Sequence, residues 1–365
     1  MNQLSKIESS VDLSIVIPTY SRARHLALTL DSLLVACERA KGSGSCEIIV
    51  LDNQSFDSTR EVVDERRRRF PIEYRLSPTF VTADVNAFNA QRTGRGGYVW
   101  VLGDDDPPLP NALERIYEGI KHGNDFLILN YWFNGSMKVA LAAEPWFGRI
   151  KSEALPGANE VLGRLGGDVG FISAVVARRA LWQSTSFAEQ ERWLPLHFHQ
   201  VYAFYKTLHG SPLRGELIGE PVLVTGLAER VVENSLSWER AFIEGLGLIF
   251  DELEQQVGYD CMAAARARSA TFNKFVLPKI AAARLNGQEW RNAERSARLK
   301  LRQPRCSSIR DVVVTELPTT LLRVGKFAQQ VLGSGRRRLK DKLTQDATRQ
   351  MAEAILSTSR CSKSQ

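Results

Sequence analysis

Residues 98–113 read Tyr-Val-Trp-Val-Leu-Gly-Asp-Asp-Asp-Pro-Pro-Leu-Pro-Asn-Ala-Leu, and this stretch decides the fold class. The apolar run 98–102 predicts a buried strand. Gly103 and three aspartates, 104–106, follow that strand, and from 113 to 120 apolar residues recur at helical spacing. In open α/β sheets the carboxyl ends of the strands form the ligand-binding edge, so the position of the aspartates itself indicates a binding site.

The sequence on either side alternates short apolar runs with helical patterns, which is typical of an α/β protein with a mostly parallel sheet flanked by helices. The predicted strands are 13–17, 47–52, 72–76, 98–102, 126–132, 171–177 and 221–225. The predicted helices lie at about 23–40, 61–69, 84–93, 110–120 and 196–208.

Beyond about Glu229 the strand patterns give way to helical ones, so the chain is predicted to carry a C-terminal α-helical appendage. We expect an α/β domain at 1–228, a helical region at 229–332 and a basic tail at 333–365. The Gly-Ser-Gly at 333–335 marks the joint before that tail.

The composition indicates a globular chain, because 365 residues with 44% hydrophobic content are enough for one large domain and a smaller appendage. No stretch approaches the roughly 18 consecutive apolar residues of a membrane-spanning helix. The first residues lack the long apolar run and cleavage site of a secretion signal. Five scattered cysteines without a C-x-x-C pair suit reduced thiols, so we expect a cytoplasmic protein with neither structural zinc nor disulfides.

The net charge of +7 is unevenly distributed along the chain. Residues 261–365 carry 22 basic and 7 acidic side chains, a net charge of +15, so the first 260 residues carry −8. An acidic main domain argues against broad nucleic-acid binding, whereas a basic helical tail suits an anionic membrane surface. A solvated helical face is the alternative interpretation of that tail.

Several motifs follow one another in order. The chain reads S-I-V-I-P-T-Y-S-R at 14–22, E-I-I-V-L-D-N-Q-S-F-D-S-T at 47–59, V-N-A-F-N at 85–89, G-G-Y-V-W-V-L-G-D-D-D at 96–106 and P-N-A-L at 110–113. In this order and spacing the sequence strongly resembles glycosyltransferase family 2 over about 12–225, most closely over 12–120. The resemblance implies the GT-A fold, with a Rossmann-like, mostly parallel sheet and a nucleotide-diphosphate-sugar donor lying across the strand ends.

The resemblance also assigns roles to residues at these strand ends. The residues implied to contact the nucleotide-sugar are Pro18, Thr19, Tyr20, Arg22, Asp52, Ser55, Asn86, Asp104 and Asp105. Many family members read D-x-D-D where this chain has Gly103 and three aspartates. Asp104 and Asp106 are therefore expected to hold Mn²⁺ or Mg²⁺, with Asp105 as the alternative ligand, because such cations prefer oxygen ligands and stabilise a leaving diphosphate. Taken alone, three aspartates also suit a helix cap.

An inverting family member needs a base that takes the proton of the acceptor hydroxyl. The E-D pair that supplies it in many members is absent here, and G-F-I-S at 170–173 with the later Phe198-His199 resembles abequosyltransferase-like lipopolysaccharide sugar transferases instead. His199 is the first candidate, since an unperturbed imidazole has a pKa of about 6.5. Glu191 and Asp168 are the carboxylate candidates. The competing interpretation of His199 is a packed core residue, and the glycine-rich 166–170 either borders the acceptor or only turns the chain.

The resemblance thus implies an inverting, metal-dependent enzyme that transfers a sugar to a saccharide or lipid-linked acceptor in the synthesis of a surface polysaccharide such as O-antigen or capsule. We expect peripheral membrane contact through the apolar segment 317–332 and the arginines 336–338. A catalytically inactive family member that serves as a nucleotide-sugar-binding partner subunit is the alternative. A nucleotidyltransferase would need a glycine-rich loop after the first strand, where this chain has P-T-Y-S-R at 18–22.

Overall fold

The computed structural model describes residues 11–133, 144–225, 239–288 and 290–303. Its strands are β1 (Leu13–Thr19), β2 (Cys46–Asp52), β3 (Ile72–Leu76), β4 (Tyr98–Val101), β5 (Phe126–Phe133), β6 (Glu153–Leu155), β7 (Val175–Arg178) and β8 (Gly215–Thr225). The helices among them are α1 (Ala23–Arg39), α2 (Thr59–Arg66), α3 (Ala83–Arg92), α4 (Ala112–Lys121), α5 (Ala158–Leu165), α6 (Arg179–Gln183), α7 (Phe187–Gln190) and α8 (His199–His209). Short 3₁₀ turns cover Gly166–Gly170, Ile172–Ala174 and Glu191–Leu196.

The strands form one mixed, mostly parallel sheet in the order β3-β2-β1-β4-β7-β5-β8-β6. β1 to β4 run parallel, β7 lies antiparallel between β4 and β5, and β6 pairs antiparallel with β8. Apolar side chains of the central strands are buried in two clusters, as expected for strands that helices cover on both faces. The predicted α/β architecture is confirmed.

The strand register brings the sequence motifs to one edge of the sheet. Thr19 pairs with Asp52 at the carboxyl ends of β1 and β2. β4 ends beside β1, where the Leu102 amide donates to the Val16 carbonyl oxygen, and the aspartates 104–106 follow at once. Because the three strands are parallel, the loops that carry the motifs meet at the edge where such sheets bind ligands.

The described C-terminal region is helical, as predicted. Its α-helices are α9 (Leu246–Glu252), α10 (Cys261–Thr271), α11 (Leu277–Leu285) and α12 (Arg291–Lys300), with π-helical turns at Glu239–Gly245, Leu253–Val257 and Phe272–Val276. None of the helices within the described ranges is long and apolar enough to cross a membrane. The predicted boundaries at 228 and 332, and the tail at 333–365, lie outside the described residues and stay predictions.

The glycine-rich 3₁₀ turn Gly166–Gly170 is buried against these helices. At Gly166, whose φ is +50°, a Cβ would lie 2.9 Å from the Ala267 carbonyl oxygen, and at Gly167 it would lie 2.8 Å from Leu246. The glycines therefore turn the chain and allow close packing, which is the second of the two interpretations from the sequence.

Two predicted boundaries differ from the structure for local reasons. The strand predicted at 171–177 begins only at Val175, because residues 172–174 form a 3₁₀ turn. The helix predicted from about 196 begins at His199, because His197 adopts a left-handed φ of +67° that ends the preceding turn.

Candidate functional site

Side-chain hydrogen bonds join the loop after β1 to the turn after β2. The Ser21 amide donates to Ser55 Oγ at 2.7 Å, and the Phe56 amide donates to Ser21 Oγ at 3.3 Å. Asp57 Oδ2 accepts from the amide of Ala23 at 2.8 Å, at the start of α1. These bonds hold Ser21 at a φ of +50°, which a residue other than glycine rarely adopts. The two motifs therefore form one interlocked surface.

Asp52 lies at the centre of the turn after β2. Its Oδ1 accepts from the amide and the hydroxyl of Ser55, at 2.9 and 2.6 Å, and its Oδ2 accepts from the Tyr74 hydroxyl at 2.5 Å. Burial and the bond to Asp52 raise the pKa of Tyr74 far above its ordinary value, so the phenol remains a donor. The structure gives Asp52 a turn-stabilising role, and its contact with a nucleotide stays a prediction.

Asp104 is bound by the loop after β1. Its Oδ2 accepts from Thr19 Oγ1 at 2.7 Å, and its Oδ1 accepts from Arg22 Nη1 at 3.0 Å. Thr29 of α1 donates to the Asp104 carbonyl oxygen at 2.8 Å. Both carboxylate oxygens of Asp104 are thus engaged by residues of the first motif.

Asp106 is held from the opposite side of the cluster. Its Oδ2 accepts from Ser173 Oγ at 2.6 Å, and the same oxygen of Ser173 accepts from the Gly103 amide at 2.9 Å. Thr225, at the end of β8, also hydrogen-bonds the Asp106 carboxylate. Trp100 Nε1 donates to the Ser173 carbonyl oxygen at 2.8 Å. Ser173 therefore fixes Asp106 against the end of β4.

Asp105 lies between these two aspartates and is the more open carboxylate. Its side chain is 21% exposed, against 6% for Asp104, and it pairs with Arg22 at 3.4 Å. Burial raises the pKa of Asp104, which Arg22 opposes, and burial together with the charge of Asp105 raises the pKa of Asp106 to about 7. Three carboxyl groups thus share the single guanidinium of Arg22, and a bound cation would balance those that Arg22 leaves unpaired.

An exposed aromatic surface, formed by Tyr20, Phe56 and Phe80, borders these loops. The three residues follow β1, β2 and β3 and expose 41, 81 and 57% of their surface. The Tyr20 ring centroid lies 5.0 Å from that of Phe80 and 5.9 Å from that of Phe56. Exposed rings in contact with one another offer apolar area that a planar ligand could cover.

The other predicted nucleotide residues are divided between this edge and α3. Pro18 pairs with Leu51 within the sheet, directly before Thr19. Asn86 is buried near the start of α3, and its Oδ1 has no hydrogen-bond partner among the described residues. The predicted residues that the structure brings together at the carboxyl edge are Pro18, Thr19, Tyr20, Arg22, Asp52, Ser55, Asp104, Asp105 and Asp106.

His199, the first candidate base, is completely buried at the start of α8. Its Nδ1 lies 2.8 Å from Gln190 Oε1, and its ring packs 6.0 Å from that of Phe88. Burial and the charge of Arg92 lower the pKa of His199 to about 3. An imidazole without exposed surface does not reach an acceptor in this conformation, so the geometry agrees with the packed-residue interpretation.

The carboxylate candidates differ in their surroundings. Glu191 is exposed at the start of its 3₁₀ turn. Asp168 is buried, accepts from Trp146 Nε1 at 2.9 Å and pairs with Lys274 of the C-terminal helices at 2.5 Å. Burial and the charges of Asp168 and Asp106 raise the pKa of Tyr131, so both carboxylates act on the same phenol. Asp168 and Ser173, the hydrogen-bond partner of Asp106, both lie in the segment directly before β7.

Residues 14–161 match the family described as Glycosyl transferase family 2. This span contains the interlocked loops and the three aspartates. Over these residues the chain resembles glycosyltransferase family 2. The resemblance read from the ordered motifs is thereby confirmed.

Curated relatives carry related names. An abequosyltransferase of Salmonella typhimurium is 25% identical over 187 residues, which cover 48% of this chain and 55% of that protein. An uncharacterised glycosyltransferase of Mycoplasma pneumoniae is 28% identical over 138 residues, which cover 37% of this chain and 44% of that protein. The chain thus spans about half the length of these curated relatives.

Two solved structures also resemble the chain. A mannosyltransferase from Pyrobaculum calidifontis in complex with GDP-Man and Mn²⁺ aligns with 88% of this chain and 83% of its own, at 13% identity and a TM-score of 0.48. S. aureus TarS 1–349 in complex with UDP-GlcNAc aligns with 80% of this chain and 89% of its own, at 12% identity and a TM-score of 0.45.

The resemblance to the family implies a divalent cation, and the aspartate cluster is where such a cation would bind. Within the described ranges, no three carboxylate, imidazole or thiolate groups converge to form a complete metal site. Mg²⁺ sites that also bind phosphates need only one or two protein carboxylates, because phosphate oxygens and waters complete the coordination shell. The open carboxylate of Asp105, beside two further aspartates, fits such a partial site.

Sequence reasoning missed four side chains that hold this site, namely Tyr74, Ser173, Thr225 and Lys274. Ser173 stands in the G-F-I-S segment, which was the available signal. Tyr74 and Thr225 lie within ordinary strand patterns and give none. Lys274 pairs across 106 residues from a helix beyond the family match, so no local pattern connects it with Asp168.

Proposed function

We propose that this chain transfers a sugar from a nucleotide-diphosphate-sugar to a saccharide or lipid-linked acceptor, with inversion at the anomeric carbon and with the help of a divalent cation. The observation that carries the proposal is the cluster of Arg22 with the aspartates 104–106 where the loops after β1, β2 and β4 meet. A guanidinium beside an excess of carboxylates suits a diphosphate that arrives together with its cation.

Within the cluster we propose roles that differ from the Asp104 and Asp106 metal pair expected from the sequence. Asp105 binds Mn²⁺ or Mg²⁺, because its carboxylate is more exposed than that of Asp104, and Asp106 is the buried acid next to it in the chain. Asp104 orients Thr19 and Arg22. When bound, the cation stabilises the charge that develops on the leaving diphosphate. Arg22, whose side chain is 42% exposed, donates to the same diphosphate.

The aromatic surface is proposed to receive the nucleotide base. Tyr20 lies in the loop that also carries Arg22, so a base on its ring and a diphosphate at the guanidinium would be parts of one ligand. Every nucleobase can stack on an aromatic side chain, so the aromatic surface does not select one nucleotide over another. Asp52 and Ser55 hold the turn that presents Phe56.

The acceptor is proposed to be a growing surface polysaccharide, such as O-antigen or capsule, on a lipid carrier at the cytoplasmic face of the inner membrane. Similarity to the Salmonella abequosyltransferase and the +15 charge of 261–365 support this choice. The segment 317–338, which would contact the lipid, lies outside the described residues. A chain of residues 1–365 should float with anionic vesicles at low salt, and a chain ending at residue 316 should not. Equal flotation of the two would contradict this part of the proposal.

A catalytically inactive subunit that binds a nucleotide-sugar is the second candidate. The burial of His199 and its lowered pKa favour it, because the predicted base is then unable to act. This candidate requires metal-dependent donor binding without turnover.

A panel of UDP-, GDP-, CDP- and dTDP-sugars tests both candidates. We expect one donor to release its nucleoside diphosphate in Mn²⁺ and not in EDTA. The Asp105→Asn variant should lose this activity, whereas Asp64→Asn, on the exposed face of α2, should keep it. Binding without release would favour the inactive subunit, and the absence of binding for every donor would contradict both.

A further inference from the structure

His197 and Asp84 form a carboxylate–histidine pair that none of the roles assigned so far includes. His197 Nδ1 lies 2.8 Å from Asp84 Oδ2. The His197 side chain is 49% exposed, whereas that of Asp84 is 13% exposed. Burial raises the pKa of Asp84, and the contact with His197 opposes this rise. When Asp84 is ionised, its carboxylate only accepts hydrogen bonds, so Nδ1 donates to it and Nε2 keeps its lone pair.

The backbone fixes this imidazole in an uncommon conformation. His197 has a φ of +67°, and its amide donates to the Leu194 carbonyl oxygen at 3.2 Å. The next residue, Phe198, is buried and packs 5.1 Å from Phe242, so the chain is anchored on both sides of His197. Left-handed residues other than glycine persist where the surrounding structure determines them, and such residues cluster at functional sites.

The pair stands at the same edge of the sheet as the aspartates. α3 begins at Ala83, after the loop that follows β3, and packs on β1 and β4. Asp84, in its first turn, therefore lies at the carboxyl edge above these strands, where Thr19 and the aspartate cluster are found. The Asn53 side chain bonds both backbone groups of Val81, at 2.7 and 3.0 Å, and so ties the start of α3 to the turn after β2.

His197 and His199 are only two positions apart in the chain, but they differ in exposure and in the partner of Nδ1. His199 is completely buried and its Nδ1 is bound to a neutral amide, that of Gln190. The His197 side chain is exposed, and its Nδ1 is bound to a carboxylate, which orients the ring. Of these two imidazoles, only that of His197 combines access with the orientation that a proton acceptor needs.

We propose that His197, oriented by Asp84, is the base that takes the proton of the acceptor hydroxyl; this inference rests on the proposed function. The hydroxyl proton passes to His197 Nε2 while the acceptor oxygen forms a bond to the anomeric carbon. The bond from that carbon to the diphosphate oxygen breaks, and its electron pair leaves with the nucleoside diphosphate. The imidazolium then releases its proton to solvent. Asp84 is a positioning residue that fixes the tautomer and the orientation of the ring.

The first test compares His197→Ala with His122→Ala. His122 is a matched control because it is another exposed histidine near a carboxylate, with Nδ1 3.7 Å from Glu216. With the donor that the nucleotide-sugar panel identifies, His197→Ala should lower turnover by about 10²- to 10⁴-fold and leave the donor dissociation constant unchanged. His122→Ala should keep wild-type turnover. If His197→Ala fails to fold, His197→Asn replaces it, because asparagine tolerates the left-handed conformation.

Two further readouts separate a base from a structural residue. Added imidazole should restore part of the turnover of His197→Gly, since it supplies the missing proton acceptor, whereas it would not repair a lost packing contact. Asp84→Asn should lower turnover and leave the donor dissociation constant unchanged, because the amide no longer favours the tautomer that carries its proton on Nδ1. Wild-type turnover in His197→Ala would overturn the base assignment alone. A wild-type protein that neither binds nor turns over any donor would overturn the proposed function and this inference together.

Discussion

The carboxyl edge of the sheet has two halves that are built in different ways. In the half formed by β1, β2 and β4, residues of the ordered motifs bond one another, as Thr19 does with Asp104 and Ser21 with Ser55. In the half around β7, β8 and the C-terminal helices, the bonds join residues that share no motif, such as Lys274 with Asp168. We call these the donor half and the acceptor half, according to the ligands proposed for them.

The difference explains where the sequence was informative. Parallel strands place their carboxyl ends at one edge of the sheet. Motifs that follow such strands therefore come together at that edge, regardless of the length and sequence of the chain between them. The acceptor half depends on an inserted antiparallel strand and on helices beyond the family match, and neither creates a periodic pattern.

Gly103→Ala should damage the donor half without removing any of its carboxylates. An added Cβ would lie 2.5 Å from Asp106 Oδ2 and 3.2 Å from Ser173 Oγ, so the Asp106 carboxylate must move away from its present position. Misplacement of a catalytic group by about 1 Å costs on the order of 100-fold in rate, and we expect a loss of that size in donor turnover. Gly97→Ala is the control, because its Cβ would meet only the Asp12 carbonyl oxygen at an ordinary 3.6 Å. Unchanged turnover in Gly103→Ala would mean that the position of Asp106 is unimportant.

Lys274→Met should damage the acceptor half alone. It leaves the Asp168 carboxylate, whose side chain is 0% exposed, without its cation. Breaking a fully buried pair costs about 3–5 kcal/mol, and because Lys274 is partly exposed we expect a loss of about 2 kcal/mol in the free energy of unfolding. Urea denaturation measures this loss, and calorimetry should show unchanged affinity for the nucleoside diphosphate. The double variant with Asp168→Asn should recover part of the stability. Weakened nucleotide binding in Lys274→Met would show that the two halves are not separate.

The smallest effect concerns the aromatic surface. Phe80→Ala removes the ring that packs 5.0 Å from Tyr20 and should weaken nucleotide affinity by about 1 kcal/mol, roughly fivefold, if the base stacks there. Leu248→Ala, a change of an exposed apolar residue on α9, should have no effect. Equal affinities in the two variants would place the base elsewhere.

Sequence reasoning therefore predicted the sheet, the edge and most of the donor half from residues such as Thr19, Arg22 and the three aspartates. It could not predict which aspartate is open, because the bonds of Asp106 to Ser173 and Thr225 come from distant strands. It identified His199 and not His197 as the base, because His199 belongs to the Phe198-His199 element of the family resemblance. The left-handed turn and the contact with Asp84 that distinguish His197 exist only in the folded chain.

The central claim is that the edge bearing Asp104, Asp105 and Asp106 binds a nucleoside diphosphate together with a divalent cation. Isothermal titration calorimetry with UDP, GDP, CDP and dTDP, each in Mn²⁺ and in EDTA, tests it most directly. We predict that one of them binds at least about tenfold more tightly in Mn²⁺, a difference of about 1.4 kcal/mol. Asp105→Asn should abolish that difference and Asp64→Asn should preserve it. Equal binding in EDTA, or full Mn²⁺ dependence in Asp105→Asn, would contradict the account.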